Sequence, residues 1–547
     1  MCKKKCRVVA LLLAFVFVLC SCTAQAQTFP TPQTDIQTVL PAVRRVVLTE
    51  NSDVMTVGTE SKKVTAPYVK AGRMLVPLRA VSEGLGAIVN WDENAQCASI
   101  AQNGKTVYVT IGAAQASDSA GNAYVLDVAA ELYNGNTTMV PIRFVSEALG
   151  YEVTYDEIKQ SAYICKRSFA DAPIEISADT LAAMTRLASD KTRQSSVSVG
   201  SLFADATDAS GKYNPAKPGW TSGYLVSQNL VCYELTGDSY HLHEARNVYD
   251  RLLGTIYVNG RVKPVFNLGI TSAMRYFEKY LCQTNADTGE KDLTPLLDAA
   301  NGLAKRQADV GYLHPWGDPS KPKNTDNYRM LIDSMCSLGL FVEAARLTGD
   351  ASYLERAKRH ADLTLEVLVR DDYTTCHTFV FNMNGQAAYE QNKQGYQNGS
   401  CWARGISWGI AGMSEMYFDT GEVRYLDCTK RLIDTYLLKC EPDMIARWDL
   451  DFTGDTTREF DTSASAITAY GMLNVYKATG DEFYLECAKR ILNTLYENYS
   501  SKDDAAYDAI LKHGVANRPS KAGVDVGLIY GDYYFALLLR NYINLTK

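Results

Sequence analysis

The sequence is poor in the residues that build metal centres and disulfide frameworks. It holds only 6 histidines in 547 residues. Its 14 cysteines include no C-x-x-C pair. Cys2, Cys6, Cys20 and Cys22 crowd the N-terminus, and the other ten are scattered with no histidine at ligand spacing, so no metal site is read and buried free thiols are expected. A positive charge excess is also missing. The net charge of -7 argues against nucleic acid or an anionic lipid surface as partner. Beyond the N-terminus no apolar run is long enough to span a bilayer. At 46% hydrophobic and 21% charged residues, the composition is that of a folded chain of two or three units.

The N-terminus has the pattern of an export signal: Lys3, Lys4, Lys5 and Arg7, then an apolar run from Val8 to Leu19. Two cleavage readings stand. Ala24-Gln25-Ala26 is a small-residue site that gives a signal peptide of residues 1–26. Leu19-Cys20-Ser21-Cys22 resembles a lipoprotein box, which would leave the mature chain lipid-anchored at Cys22. Both predict an exported protein, either secreted or attached to the cell surface.

Two repeats divide the remainder. In residues 50–167, Met74-Leu-Val-Pro-Leu-Arg-Ala-Val-Ser-Glu-Gly-Leu-Gly86 recurs as Met139-Val-Pro-Ile-Arg-Phe-Val-Ser-Glu-Ala-Leu-Gly150. Each copy predicts a strand, a short helix closed by glycine, and a second strand (87–91, 151–155), with another strand over 106–111. The polar stretch around Pro173 supplies a linker at 168–179. Helical punctuation follows: Thr236-Gly-Asp, Thr348-Gly-Asp, Thr420-Gly-Glu and Thr479-Gly-Asp. The glycine ends one helix in a left-handed conformation and the acidic residue caps the next. Each joint therefore marks a helical hairpin. Residues 180–547 have room for about six such hairpins at ordinary loop lengths. The fold expected is multidomain: a small α+β tandem-repeat module, then an all-α (α/α)6 barrel, with an open superhelix of repeats as the alternative.

Candidate chemistry gathers at two places. Gln394 to Trp408, QGYQNGSCWARGISW, sets Trp402 and Trp408 around Arg404, with Gln394 just upstream. Flat aromatic walls, one cation and an amide suit a sugar that carries a carboxylate. A buried helix start with two core tryptophans is the plainer alternative. Asp333 lies among apolar residues in a predicted helix that Asp326 or Asn327 would start. Burial there would raise its pKa toward the range a general acid needs.

In these motifs the chain resembles the unsaturated glucuronyl hydrolases of glycoside hydrolase family 88 from about Thr180 to Leu545. The matching pieces come in family order: Gly219-Trp-Thr-Ser-Gly-Tyr224, Tyr233 to Asp238, Ile332-Asp-Ser-Met335, the Gln394–Trp408 block, Arg447-Trp-Asp449, Asp461-Thr-Ser-Ala464 and Ile529-Tyr-Gly-Asp-Tyr-Tyr534. The N-terminal repeat resembles the tandem module named for the N-terminal domain of copper amine oxidases. No copper chemistry carries over, because residues 50–167 contain no histidine; the resemblance points to a stalk, or to contact with a cell wall or cell surface.

The family resemblance implies an (α/α)6 barrel and no cofactor. It implies a hydrolase that removes a 4,5-unsaturated uronic acid from the non-reducing end of lyase-generated oligosaccharides, by hydrating an enol ether. It puts Asp333 in the place of the general acid/base. Trp220, Trp316, Trp402 and Trp408 fall at or near aromatic positions of the pocket, and His377, Gln394 and Arg404 at polar positions near the sugar. One departure stands out. The family's second aspartate corresponds to Asn267 in Phe266-Asn-Leu-Gly-Ile270, and asparagine keeps the shape without the charge. Either the site is weakened, or another carboxylate such as Asp318 or Asp461 compensates, or the correspondence shifts there. The alternatives are an unsaturated rhamnogalacturonyl hydrolase and a catalytically impaired cell-surface sugar-binding protein. Ser520 and Lys521 fall where a sulfated or uronic neighbouring sugar would be held; a solvated loop is the plainer reading.

Overall fold

A proline ends a strand and opens a helix twice in the N-terminal module. The computed structural model describes residues 41–258, 261–262, 268–316, 328–382, 384–453 and 459–547. Strand Arg73–Pro77 hands over to helix α1 (Leu78–Gly84), and strand Thr137–Pro141 to helix α2 (Ile142–Ala148). Proline cannot donate to a continuing ladder, and its φ, -66° at Pro77 and -57° at Pro141, already suits a helix entry. Gly86 and Gly150 close the two helices at positive φ, +86° and +75°. The strands that follow are Ile88–Asp92 and Glu152–Asp156, and the strand expected over 106–111 forms as Lys105–Thr110.

The two copies meet where Val76 stands opposite Val140 in an antiparallel pair, which relates them by an approximate two-fold. Their inward faces, with Val46, Leu48, Leu78, Val81, Val107, Val145 and Ile164, form a core separate from that of the helical region.

From Ala178 onward the chain is mainly helical. The helices are α3 (Ala178–Val199), α4 (Tyr224–Thr236), α5 (Ser239–Ile256), α6 (Leu268–Met274), α7 (Thr294–Ala304), α8 (Gly339–Thr348), α9 (Ala351–Val367), α10 (Ala403–Thr420), α11 (Val423–Lys439), α12 (Thr462–Thr479), α13 (Glu482–Tyr499) and α14 (Ile529–Thr546). Gly237, Gly349, Gly421 and Gly480 sit at the four anticipated joints with φ of 71–74°. Asp238, Asp350 and Asp481 then accept the N–H groups of Tyr240, Ser352 and Phe483. Glu422 does not cap. Its longer side chain turns to Lys358 and Arg424 instead.

Helices α4, α6, α8, α10, α12 and α14 touch in succession, and α14 closes the ring on α4. The other six lie outside them, so the architecture is a closed (α/α)6 barrel rather than an open superhelix. Five hairpins are consecutive in sequence. The sixth is assembled from the two ends of the region, where α14 packs on α3. The inner helices are buried on nearly all sides, as α12 is from Thr462 to Val475, so they lack the one-sided periodicity of a surface helix.

The module packs directly on the barrel. Two strands of the module exchange charges with α11: Arg167 of Ser161–Ser168 with Asp434, and Asp156 of Glu152–Asp156 with Arg431. The segment joining the two regions is stapled to α13. Arg490 reaches Asp171 and the Ala172 carbonyl, and Glu486 accepts the Ile174 N–H. All ten described cysteines are free, and seven of them are buried. No described helix is long and apolar enough to cross a membrane. The leader and Cys22 lie outside the described residues.

Candidate active site

All six inner helices start at the same mouth of the barrel. Tyr224, Arg404 and Tyr530 lie in the first turns of α4, α10 and α14, Asp461 is the N-cap of α12, and Asp333 belongs to the turn just before α8. Helix N-termini carry partial positive charge and unpaired N–H groups, so this mouth favours an anionic ligand.

Asp333 is not inside an α-helix, as its sequence context suggested. Arg329–Leu331 is a strand paired with Thr378–Phe381, and Asp333 sits in the first turn of a 3₁₀-helix, Ile332–Ser337. The expected caps Asp326 and Asn327 lie outside the described residues. The reason for the difference is non-local. The 378–381 strand satisfies the backbone before Asp333, and the Ile332 N–H donates to the His377 carbonyl at 3.1 Å. Helix α10 then presses on the turn through Gly412, where a Cβ would lie 2.4 Å from that of Met335.

Burial dominates the state of Asp333. It pushes the carboxyl up to about 7, against the opposing pull of the Arg404 charge and the carboxyl's own backbone N–H. Oδ2 has no hydrogen-bond partner among the described residues.

Arg404 is fully buried and nearly saturated. Nη1 donates to Asp461 Oδ2 at 2.5 Å and to the Val515 carbonyl; Nη2 donates to Gln394 Oε1 at 3.0 Å and to the Ala516 carbonyl at 2.5 Å. Its guanidinium lies 4.6 Å from the Trp402 ring centre and 5.3 Å from that of Tyr530. Nε is left without a partner among the described residues. Arg404 thus ties the 514–526 hairpin to the floor of the site.

His377 faces Trp402 with ring centres 4.4 Å apart. Its Nδ1 accepts two backbone N–H groups, from Lys393 at 3.0 Å and Gln394 at 3.1 Å. That places the proton on Nε2, and burial, helped by the Arg404 charge, lowers the pKa to about 3, so the ring is neutral. The Nε2–H has no described partner; nor have Trp402 Nε1, Trp408 Nε1 and Tyr530 Oη. Buried polar atoms in proteins are rarely left unsatisfied. Unmatched groups gathered around one carboxylate mark a place where a polar ligand or water completes the bonding.

An aromatic wall leads outward. Trp408 lies 6.1 Å from Tyr530, and Tyr530 lies 5.1 Å from Trp220, which is 38% exposed. Asp333, Trp220, His377, Gln394, Trp402, Arg404 and Trp408 therefore belong to one connected mouth. Trp316 stands at its side, partly exposed, with the Arg329 guanidinium 5.7 Å from its ring. Asn267 and Asp318 lie outside the described residues. The first described turn after Asn267 is held where the Gly269 N–H donates to the Trp220 carbonyl at 2.9 Å. Ser520 and Lys521 form the exposed tip of the 514–526 hairpin, and Ser520 bonds back to Asn517. Sequence reasoning passed over Tyr530 as an individual residue, although it stands in a recognised motif. The Val515 and Ala516 carbonyls carry no side-chain signal that could have found them. Among the described residues, no group of three or more His, Cys, Asp or Glu side chains could hold a metal ion.

Residues 201–510 match the profile of Glycosyl Hydrolase Family 88, and residues 56–164 match the copper amine oxidase N-terminal domain. The chain belongs to glycosyl hydrolase family 88. It is similar to the unsaturated chondroitin disaccharide hydrolase of Streptococcus pneumoniae, 31% identical over 333 residues, which cover 59% of this chain and 82% of that protein. It is also similar to the unsaturated glucuronyl hydrolase of Bacillus sp. strain GL1, 29% identical over 351 residues, which cover 61% of this chain and 89% of that protein. The crystal structure of unsaturated glucuronyl hydrolase from Streptococcus agalactiae superposes with a TM-score of 0.61 at 26% identity, covering 68% of this chain and 93% of that one.

Proposed function

We propose that this chain removes the 4,5-unsaturated uronic acid from the non-reducing end of lyase-generated oligosaccharides. The observation that carries the reading is Asp333: buried, poised near neutrality, with an unpartnered oxygen, at the mouth where the inner helices start. Family membership supports the same chemistry.

The double bond between C4 and C5 is an enol ether. The protonated Asp333 carboxyl gives its proton to C4, and positive charge develops at C5, shared with the ring oxygen. Water adds at C5 and loses a proton to the Asp333 carboxylate, which restores the acid. The product is a hemiketal that opens and releases the remaining sugar. One carboxyl serves as both acid and base, so the two-carboxylate spacing of ordinary glycosidases does not apply. In this reading Arg404 Nε, Gln394 and the His377 Nε2–H bind the uronate, while Trp402, Trp408 and Trp220 flank the rings. Asn267, in the place of the family's second aspartate, weakens the reaction without removing its proton donor.

The leader supports export, either as a secreted protein or as one anchored at Cys22, and the N-terminal module supports contact with a cell wall or surface. The decisive assay for the catalytic reading follows the ultraviolet absorbance of an unsaturated glucuronyl disaccharide. Loss of absorbance with release of the second sugar is expected. Tight binding without turnover would replace the enzyme with the sugar-binding reading.

A further inference from the structure

The N-terminal module carries two grooves that the barrel chemistry does not use. The first, of about 500 Å³, runs between α1 with its following strand in the first copy and the 131–141 hairpin of the second. The second, of about 550 Å³, runs between α2 with its following strand in the second copy and the 68–77 hairpin of the first. Each copy thus supplies the helix wall of one groove and the hairpin wall of the other. The antiparallel Val76–Val140 contact enforces this exchange, because its approximate two-fold turns each helix toward the other copy's hairpin.

The chemistry repeats with the geometry. Trp91 in the first groove stands where Tyr155 stands in the second, and both rings are accessible, Tyr155 at 39%. Arg79 with Glu83 corresponds to Arg143 with Glu147, at 3.3 Å and 3.9 Å. Each arginine is already matched by a carboxylate. The first groove sets Arg79 against Glu83 and Glu93; the second sets two arginines against three carboxylates. Neither has cationic charge to spare, so a polyanion is disfavoured. What remains is a flat apolar ring edged by hydrogen-bonding side chains, presented twice. A ligand made of repeating units can engage both sites, and the second contact then forms at high effective concentration. A polysaccharide without charge meets these conditions: its sugar rings offer a C–H face to an aromatic and hydroxyls to polar groups.

We propose that the twin grooves bind an uncharged polysaccharide chain and hold the barrel on that surface. The inference gives a ligand class to the surface contact proposed above and does not depend on the barrel being active. The test is affinity electrophoresis of the full chain in gels containing glucomannan, arabinoxylan or hydroxyethyl cellulose, with hyaluronan as the anionic probe. Retardation by at least one uncharged polymer is expected. Trp91→Ala and Tyr155→Ala should each weaken it about tenfold or more, because losing one site removes the gain from binding at two, and the double variant should abolish it. Asn136→Trp fills the first groove from its opposite wall and should reproduce Trp91→Ala without touching the packing beneath that ring. All variants should keep the wild-type rate on the unsaturated disaccharide. Retardation by none of the uncharged polymers, retardation by hyaluronan alone, or an unchanged double variant overturns the proposal. Retardation of a wild-type chain that lacks turnover supports it while removing the hydrolase reading.

Discussion

Arg167 grips Asp434 with both arms of its fork, Nε to Oδ1 at 2.6 Å and Nη2 to Oδ2 at 2.7 Å, and the carboxylate is fully buried between module and barrel. Tyr163 adds a third bond at 2.7 Å. The buried Arg45 of the module likewise reaches Thr435 at 2.6 Å, and in the other direction Arg431 reaches Asp156 at 2.8 Å and Thr154 at 3.0 Å. Charges this deep are tolerated only when paired.

Asp434→Ala should therefore destabilise the chain by about 3 kcal/mol, because it leaves the largely buried Arg167 with only the half-exposed Glu152 as its anion. Urea unfolding measures this, and the double variant Arg167→Met, Asp434→Leu should recover most of the loss. A single variant with wild-type stability would show that module and barrel are not coupled through this pair.

Asp333→Asn should lower turnover of the unsaturated disaccharide by roughly two to four powers of ten, the contribution of a placed general acid. The fold should persist. At pH 8 the variant should be at least as stable as the wild type, because it no longer holds a buried carboxylate. Near-normal turnover would dismiss Asp333 as the proton donor.

The pH dependence follows from the same group. Its folded pKa, about 7, lies above the value near 4 of a free carboxyl, so the folded state binds this proton more tightly. The resulting stability is fully present below about pH 4 and is lost as pH rises through 7. Activity should follow the protonated fraction: kcat/KM flat below neutrality and falling above it. Arg404→Met removes a charge that pulls the Asp333 pKa down, so the alkaline limb should move to higher pH even as KM rises. A limb that stays in place would mean another group carries the proton.

Asn267→Asp tests the sequence correspondence to the family's second aspartate. A second carboxylate beside Asp333 would disfavour ionisation of both, so the rate should rise and the profile should shift alkaline. The paired pH–rate profiles of wild type and variant measure both effects. An already fast wild type that the substitution leaves unchanged would show that Asn267 stands elsewhere.

Much of this molecule is written locally. The Thr-Gly-Asp joints close and open helices within five residues, so Gly237, Gly349 and Gly480 could be placed without a structure. The Pro77 and Pro141 strand endings are equally local, since proline's missing N–H acts wherever the chain goes. The aromatic and arginine content of the Gln394–Trp408 block was visible because those residues are close in sequence.

The sequence by itself determined the hairpins and the duplicated module, and it singled out Asp333 as the candidate acid. Only the tertiary structure decided what surrounds that acid. Arg404 is held by Asp461, Val515 and Ala516, between 57 and 112 residues away, and Asp333 enters its site through a strand whose partner lies beyond α9. Closure of the barrel likewise depends on α3 meeting α14 from opposite ends of the region. Such pairings leave no periodicity in the chain. They form because buried polar groups must find partners wherever the packing of the whole barrel brings them together.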